Sequence, residues 1–159
     1  MKKIVLGILM SFIFFGFAIS QTKTEKENEM RQLIESKQFK FTARSVTPLS
    51  GTPINLTSEY DLIVDSLKIE AWLPFYGRAY QTDYGSTEGG IKFKEVAKTM
   101  DVKLDKKKKI YNIRIEVDTP KDSYKIYIQA GSSGYANMNL NSYKKQSVSY
   151  YGIIEAIDK

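Results

Sequence analysis

The stretch Trp72-Leu-Pro-Phe-Tyr-Gly-Arg-Ala-Tyr-Gln-Thr-Asp-Tyr84 gathers one Trp, one Phe and three Tyr around a single Arg. Aromatic faces beside a guanidinium are the residue types that stack on flat or apolar groups and grip a carboxylate or another anion. Tyr76 and Tyr80 flank Arg78 at i−2 and i+2, the positions that share its side of an extended strand. Trp72, Tyr76, Arg78, Tyr80 and Tyr84 are therefore the candidate ligand-binding residues. Two arrangements fit them. In the first, Arg78 sits in the mouth of a pocket and faces an anionic ligand while the aromatic rings line the walls. In the second, Arg78 pairs with Asp83, Glu70 or a carbonyl at a corner made by Pro74 and Gly77, and the rings fill a core. A buried Arg needs one partner or the other.

The chain has no His and no Cys. That excludes Ser-His-Asp and Cys-His nucleophilic triads and ordinary zinc sites. Carboxylate chemistry survives, because glycoside hydrolysis needs only two acids across a cleft, and Glu70, Asp83 and Glu88 stand near the aromatic stretch. Acids that alternate with apolar residues are ordinarily the wet face of a strand, so no catalytic residue is assigned and the chain is expected not to be an enzyme. Asp61, Asp65 and Asp83 lack the spacing of a calcium loop. Gly131-Ser-Ser-Gly134 lies between strands rather than ahead of a helix, so it is no phosphate cradle. Neither a metal nor any other cofactor is expected. The run Lys106–Lys109 can be read as a site for anionic lipid, or as a solvated hairpin tip that discourages edge pairing.

The elements that must position these residues begin after a leader. Lys2 and Lys3 precede an apolar run from Ile4 to Ile19, which ends at Ala18-Ile19-Ser20 before Gln21. This is the layout of a secretory signal peptide, and residues 1–20 are read as one that is cleaved. The run is short for a span of ~20 apolar residues, and no Cys stands at the cleavage point to carry a lipid. The mature chain is expected to be exported to the periplasm or beyond, with no transmembrane segment left after cleavage. The formal net charge of the 159 residues is +6, and a leader that takes away two Lys and no acid leaves +4. That is too little to argue for nucleic acid. A chain of this length is one domain's worth and can stand on packing without disulfides.

Residues 21–37 are polar apart from Met30, Leu33 and Ile34, whose i, i+3, i+4 spacing predicts a short amphipathic helix. From residue 38 the period becomes two. Phe39, Phe41 and Ala43 mark a first strand, and Thr47 to Thr57, with Pro48, Gly51 and Pro53, reads as a loop. Tyr60, Leu62 and Val64 begin a second strand. Leu67, Ile69, Ala71 and Leu73 form a third, and Arg78 to Thr82 continues extended beyond the corner. Ile91 and Phe93 follow, and then a less regular strand with Val96, Met100, Val102 and Leu104 on one side. The clearest pair is Tyr111-Ile113-Ile115-Val117 with Tyr124-Ile126-Ile128-Ala130, joined by a short turn into a hairpin. Ala136, Met138 and Leu140 follow, and Ser147 to Ile157 closes the chain. About nine strands with frequent turns indicate an all-β antiparallel sandwich or meander barrel with residues 38–159 as its body.

Leu73-Pro-Phe-Tyr-Gly-Arg-Ala-Tyr80, Gly89-Gly-Ile-Lys-Phe93 and Ser149-Tyr-Tyr-Gly152 resemble the signature of an exported bacterial family, domain of unknown function 4251. The resemblance spans residues 35 to 155. It implies a lipocalin-like β-barrel or clam and an exported or envelope-associated protein, and it carries no catalytic or binding residue across. Two roles follow as expectations. The first is a non-catalytic envelope protein holding a small apolar or amphipathic ligand in the barrel mouth. The second is an interaction module with a filled core that docks another envelope component. A carboxylate-based hydrolase comes third.

Overall fold

The computed structural model describes residues 25–80 and 90–157. The expected signal peptide, the first residues of the polar segment, and Asp83, Tyr84 and Glu88 lie outside the described residues. A helix, α1, occupies residues 25–35. Ten strands follow: β1 (Gln38–Pro48), β2 (Ile54–Asn55), β3 (Asp61–Asp65), β4 (Lys68–Pro74), β5 (Gly90–Val96), β6 (Thr99–Asp105), β7 (Ile110–Asp118), β8 (Ser123–Gly131), β9 (Tyr135–Ser142) and β10 (Val148–Glu155). Every ladder is antiparallel, and the strand order is β5-β4-β3-β1-β10-β9-β8-β7-β6, with β2 lying off this path against β1. The chain is thus an all-β antiparallel meander curled into a half-barrel, with one short helix ahead of it.

The two-residue rhythm explains the curl. Successive side chains of a strand point to opposite faces, and here one face is apolar on almost every strand. Phe39, Phe41, Leu62, Val64, Ile69, Ile113, Ile115, Ile126, Ile128 and Leu140 are all buried. Ile113 pairs with Ile128 and Ile115 with Ile126 across the β7–β8 hairpin, so the rows meet on the inside. β1 carries the closure, because it pairs with β3 on one side and with β10, the last strand, on the other.

The sheet path ends at β5 and β6, although these two are consecutive in the chain. Ala97 and Lys98 join them at a corner. The Ala97 N–H donates to the Leu67 carbonyl beside β4, and the Lys98 N–H donates to the Glu116 carbonyl on β7. The chain itself bridges the gap between the two ends of the path.

Four sequence expectations change. The loop expected from Thr47 to Thr57 is shorter, because β1 runs to Pro48 and Ile54-Asn55 pairs back on Ser45-Val46 as β2. Leu67 is not the first inward residue of its strand; it lies in the turn after Ser66, whose φ is 58°, and is exposed. The irregular strand through Val96 and Leu104 is two strands. The corner at Ala97-Lys98 buries Ala97 instead of continuing the parity, which leaves Val96 exposed, while Leu104 shares the face of Met100 and Val102 but is itself exposed. The extension expected from Arg78 onward makes only an isolated bridge, Ala79 to Lys145, before the described residues end.

α1 covers one end of the half-barrel. Met30 and Ile34 are buried, as their spacing predicts, Leu33 is half-buried, and the rest of the helix is polar. The helix ends where the Lys37 N–H donates to the Ile34 carbonyl and Lys37 takes φ 56°. Met30 reaches Gly134 in the β8–β9 turn, and Glu27 pairs with Lys109 in the β6–β7 turn at 3.7 Å. Burial raises the Tyr111 hydroxyl above its ordinary range, with the Glu35 charge on the helix adding to it.

Candidate functional site

The end of the half-barrel opposite α1 is where the aromatic stretch was expected to form a mouth. Side chains stopper it. The Tyr150 hydroxyl, on β10, donates to the Pro74 carbonyl at the end of β4 over 2.7 Å. Phe93 on β5 stacks on Tyr124 on β8 with ring centroids 4.9 Å apart. Asp122, in the β7–β8 turn, accepts at Oδ1 from the Ser123 N–H at 2.8 Å and the Lys144 N–H at 3.2 Å, and at Oδ2 from the Ser142 hydroxyl. Burial pushes the Tyr150 hydroxyl far above the usual range for a tyrosine, with nearby Tyr124 adding to it. Tyr124 is raised as strongly, first by burial and then by the Asp122 carboxylate it meets.

The interior behind this stopper is filled. Side chains that line a ligand-sized void keep surface that a water could touch. Phe39, Phe41, Ile34, Leu62, Ile115 and Ile126 have none. Among the described residues the core is packed from α1 to Tyr150, and no polar side-chain atom is buried in it without a hydrogen bond.

The sequence-predicted site residues do not converge on the interior. Trp72 stands on the outer face of β4, 57% exposed, with the Lys92 ammonium 4.5 Å from its ring. After Pro74 the chain leaves the sheet as a strap along residues 144–146. The Arg78 N–H donates to Gln146 Oε1 at 3.1 Å, the Gln146 N–H donates to the Arg78 carbonyl, and the Tyr80 N–H donates to the Lys144 carbonyl. Tyr76, Arg78 and Tyr80 all project outward, and Tyr80 is 65% exposed. Arg78 is therefore held by its backbone, and its guanidinium has no ion-pair partner among the described residues. Glu70, one expected partner, is taken by Lys94 at 2.7 Å. Gly77 does not adopt a left-handed backbone; a side chain there would strike the Phe75 ring. Phe75 alone of this segment turns partly inward, beneath the Lys145 ammonium. Neither pocket wall nor core describes Trp72, Tyr76 and Tyr80, because Trp72 takes the outward phase of β4 and Pro74 ends the ladder before Tyr76 and Tyr80 can share its alternation.

Among the described residues no three Asp or Glu side chains gather as a metal site. Asp61 is raised above its ordinary value, first by burial and then by Glu70 and Glu59 against the pull of Lys40. The Lys106–Lys109 run is a hairpin tip in which Asp105 Oδ1 accepts from the N–H groups of Lys107 and Lys108 at 3.0 and 3.1 Å.

A concavity of about 680 Å³ opens elsewhere, on the outer face of β6 to β10. The twist of the sheet hollows that face. Polar side chains, Lys103, Asn112, Arg114, Tyr127, Asn137 and Asn139 among them, stand over a surface that is almost half apolar. Sequence reasoning passed over it. The signal present was Asn at 137, 139 and 141, outward positions of a strand where Asn is disfavoured.

The family model described as Domain of unknown function (DUF4251) matches residues 21–154. No curated protein matches the chain. Among solved structures, the fold is similar to the crystal structure of a DUF4251 family protein from Bacteroides eggerthii. The two share 15% sequence identity with a TM-score of 0.64, over 82% of this chain and 87% of that one.

Proposed function

The chain belongs to the DUF4251 family, and on that footing we propose that it is an exported, non-catalytic binding protein of the bacterial envelope that works with its outer surface. The filled interior is the observation that carries this reading. A lipocalin-like carrier needs an apolar void of several hundred Å³, whereas here the side chains that would line it touch one another and Tyr150 ties the far end shut. The expectation of a small apolar ligand in the mouth thereby loses its site. A filled core that docks another envelope component gains support, since both the strap at Tyr76 to Tyr80 and the concavity over β6 to β10 face outward. The absence of His and Cys from the sequence supports a role without Ser-His-Asp, Cys-His or ordinary zinc chemistry.

Native mass spectrometry of the protein purified from its own envelope fraction tests this. The expected spectrum carries no bound lipid, and the protein fractionates with the periplasm or envelope. A stoichiometric lipid or fatty-acid adduct would overturn the exterior reading, and recovery in the cytoplasm would overturn export.

A further inference from the structure

The concavity over β6 to β10 narrows what is recognised, and the inference drawn from it rests on the exterior reading above. Its lining is built in rungs across the sheet. Lys103, Asn112, Gln129 and Asn137 stand opposite one another in register, with Tyr151 continuing the rung just beyond the lining, and the neighbouring rung runs from Asp101 through Arg114, Tyr127 and Asn139 to Ser149. With strands ~4.8 Å apart, five of them give a face roughly 19 Å wide, enough for an extended chain.

The amides are the unexpected part. β9 is an interior strand, bonded on both sides by β8 and β10, and Asn is among the residues such strands disfavour. Three of its outward positions are nevertheless Asn; Asn137 faces Gln129, which in turn faces Asn112, while Asn139 faces Tyr127 and Asn141 faces Lys125. Packing does not ask for them, because the inward neighbours Ala136, Met138 and Leu140 make the core. Internal bonding does not consume them either. Gln129 Nε2 donates to Asn112 Oδ1 at 3.1 Å, Asn139 Nδ2 donates to Ser149 Oγ at 3.1 Å, and Asn141 Oδ1 accepts from the Ser147 hydroxyl. Each of these amides has two donors and two lone pairs, so most of that capacity stays directed at the groove. The Asn137 amide makes no side-chain hydrogen bond to any described residue.

Charge is nearly cancelled. Lys103 pairs with Asp101 at 3.0 Å, and the remaining cation, Arg114, lies over the Tyr127 ring at 5.2 Å. A second flat surface borders the β9–β10 side, where Tyr135 and Tyr151 stack within 2° of parallel at 6.1 Å. A polyanion such as nucleic acid would call for several unpaired cations. An apolar ligand would strip water from the amides and leave them unpaired. A sugar hydroxyl both donates and accepts, as an amide does, and the C–H face of a pyranose ring lies well on an aromatic plane.

We propose that the outer groove of β6 to β10 binds a neutral glycan chain, with Asn112, Gln129, Asn137 and Asn139 reading hydroxyls and Tyr127 and Tyr151 supporting ring faces. The test uses the mature full chain and soluble linear hexasaccharides of glucose, mannose, xylose and N-acetylglucosamine, measured by calorimetry. At least one is expected to bind. Asn137→Ala and Tyr127→Ala should each weaken it by roughly tenfold or more. Asn137→Ala should leave the melting temperature unchanged, and Trp72→Ala, on the outer face of β4, should leave binding unchanged. Binding that survives both groove substitutions would place the ligand elsewhere and overturn the site. No binding to any of the four would overturn the ligand class. Either failure is separable from failure of the exterior reading, which a lipid adduct in the native mass spectrum would reveal independently.

Discussion

Replacing Gly152 by Ala should damage this fold more than a methyl group added at any other described glycine. Gly152 lies on β10 opposite Ala43, beside the irregularity between Ala43 and Ser45 in the β1–β10 ladder. A Cβ there would fall 2.1 Å from the Thr42 carbonyl oxygen and 2.9 Å from the Phe41 ring. Ordinary contact begins near 3.4 Å, so the backbones must part by about 1.3 Å, and no flexible side-chain tip can absorb the shift. Thr42 is held from both sides, by β3 and by β10. Overpacking alone costs about 1–3 kcal/mol, and each strand hydrogen bond broken to relieve it adds about 0.5–1.5 kcal/mol. The expected loss is about 3–5 kcal/mol, a large part of the ~5–15 kcal/mol that holds a domain together. In urea, with an m-value near ~2 kcal/mol/M, the midpoint should fall by roughly 2 M. Far-UV ellipticity is the right signal, because the single Trp is exposed and its emission reports the fold poorly. Gly131→Ala is the control. Its Cβ would meet nothing closer than 3.7 Å, so it should shift stability by no more than ~0.5 kcal/mol. If the two variants unfold at the same urea concentration, the close approach at the closing seam is wrong.

Four further outcomes are expected. Tyr150→Phe removes the donor to the Pro74 carbonyl and should cost about 1–2 kcal/mol, a fall in melting temperature of about 3–6 °C. Because burial raises the Tyr150 and Tyr124 hydroxyls, the folded state keeps protons that the unfolded chain releases above pH 10. Melting temperature should therefore drop as pH rises past 10, less steeply in Tyr150→Phe, and a flat alkaline profile would refute that. Asp122→Ala strips acceptors from Ser123, Ser142 and Lys144 and should cost about 2–4 kcal/mol by chemical denaturation. For Asp61, burial with Glu70 and Glu59 makes the ionised form unfavourable; the penalty is present above the raised value and gone below the ordinary one of 3.8. Asp61→Asn should accordingly be the more stable protein at pH 7, and thermal melts should show the advantage shrinking as pH falls toward 4.

Alternation made the body of the fold legible. Wherever apolar residues recur at every second position with few interruptions, as at Tyr111–Val117 and Tyr124–Ala130, strand, partner and inward face all follow from the pattern. Legibility failed where the chain turns a corner. At Ala97-Lys98 one residue of parity is spent on the bend, so Val96 carries its apolar side chain to the surface. After Pro74 the strap takes its hydrogen bonds from Gln146 and Lys144, partners some seventy positions away that no local pattern announces. The aromatic density of Trp72 to Tyr80 attracted a pocket reading because composition does not say which way a side chain points. The polar groove was missed for the opposite reason, since wet-face residues look interchangeable until the register sets three amides, Asn112, Gln129 and Asn137, side by side.

That contrast bears on how function and stability are divided in this chain. In a barrel that carries its ligand inside, the residues that bind are also the residues that pack, so changes to them move affinity and melting temperature together. Here the inner rows are committed to one another, and the outer face separates into two regions with different chemistry. Over β4 and β5 the outward side chains satisfy each other, Glu70 with Lys94 and Trp72 with Lys92. Over β6 to β10 the amides leave hydrogen-bonding capacity unspent, on strands that β-propensity alone would have filled with Thr or Val. A sequence shaped only by folding gains nothing from that choice. The unspent amides are thus the feature that stability does not account for, and substitutions there should change what the protein holds without changing how well it folds.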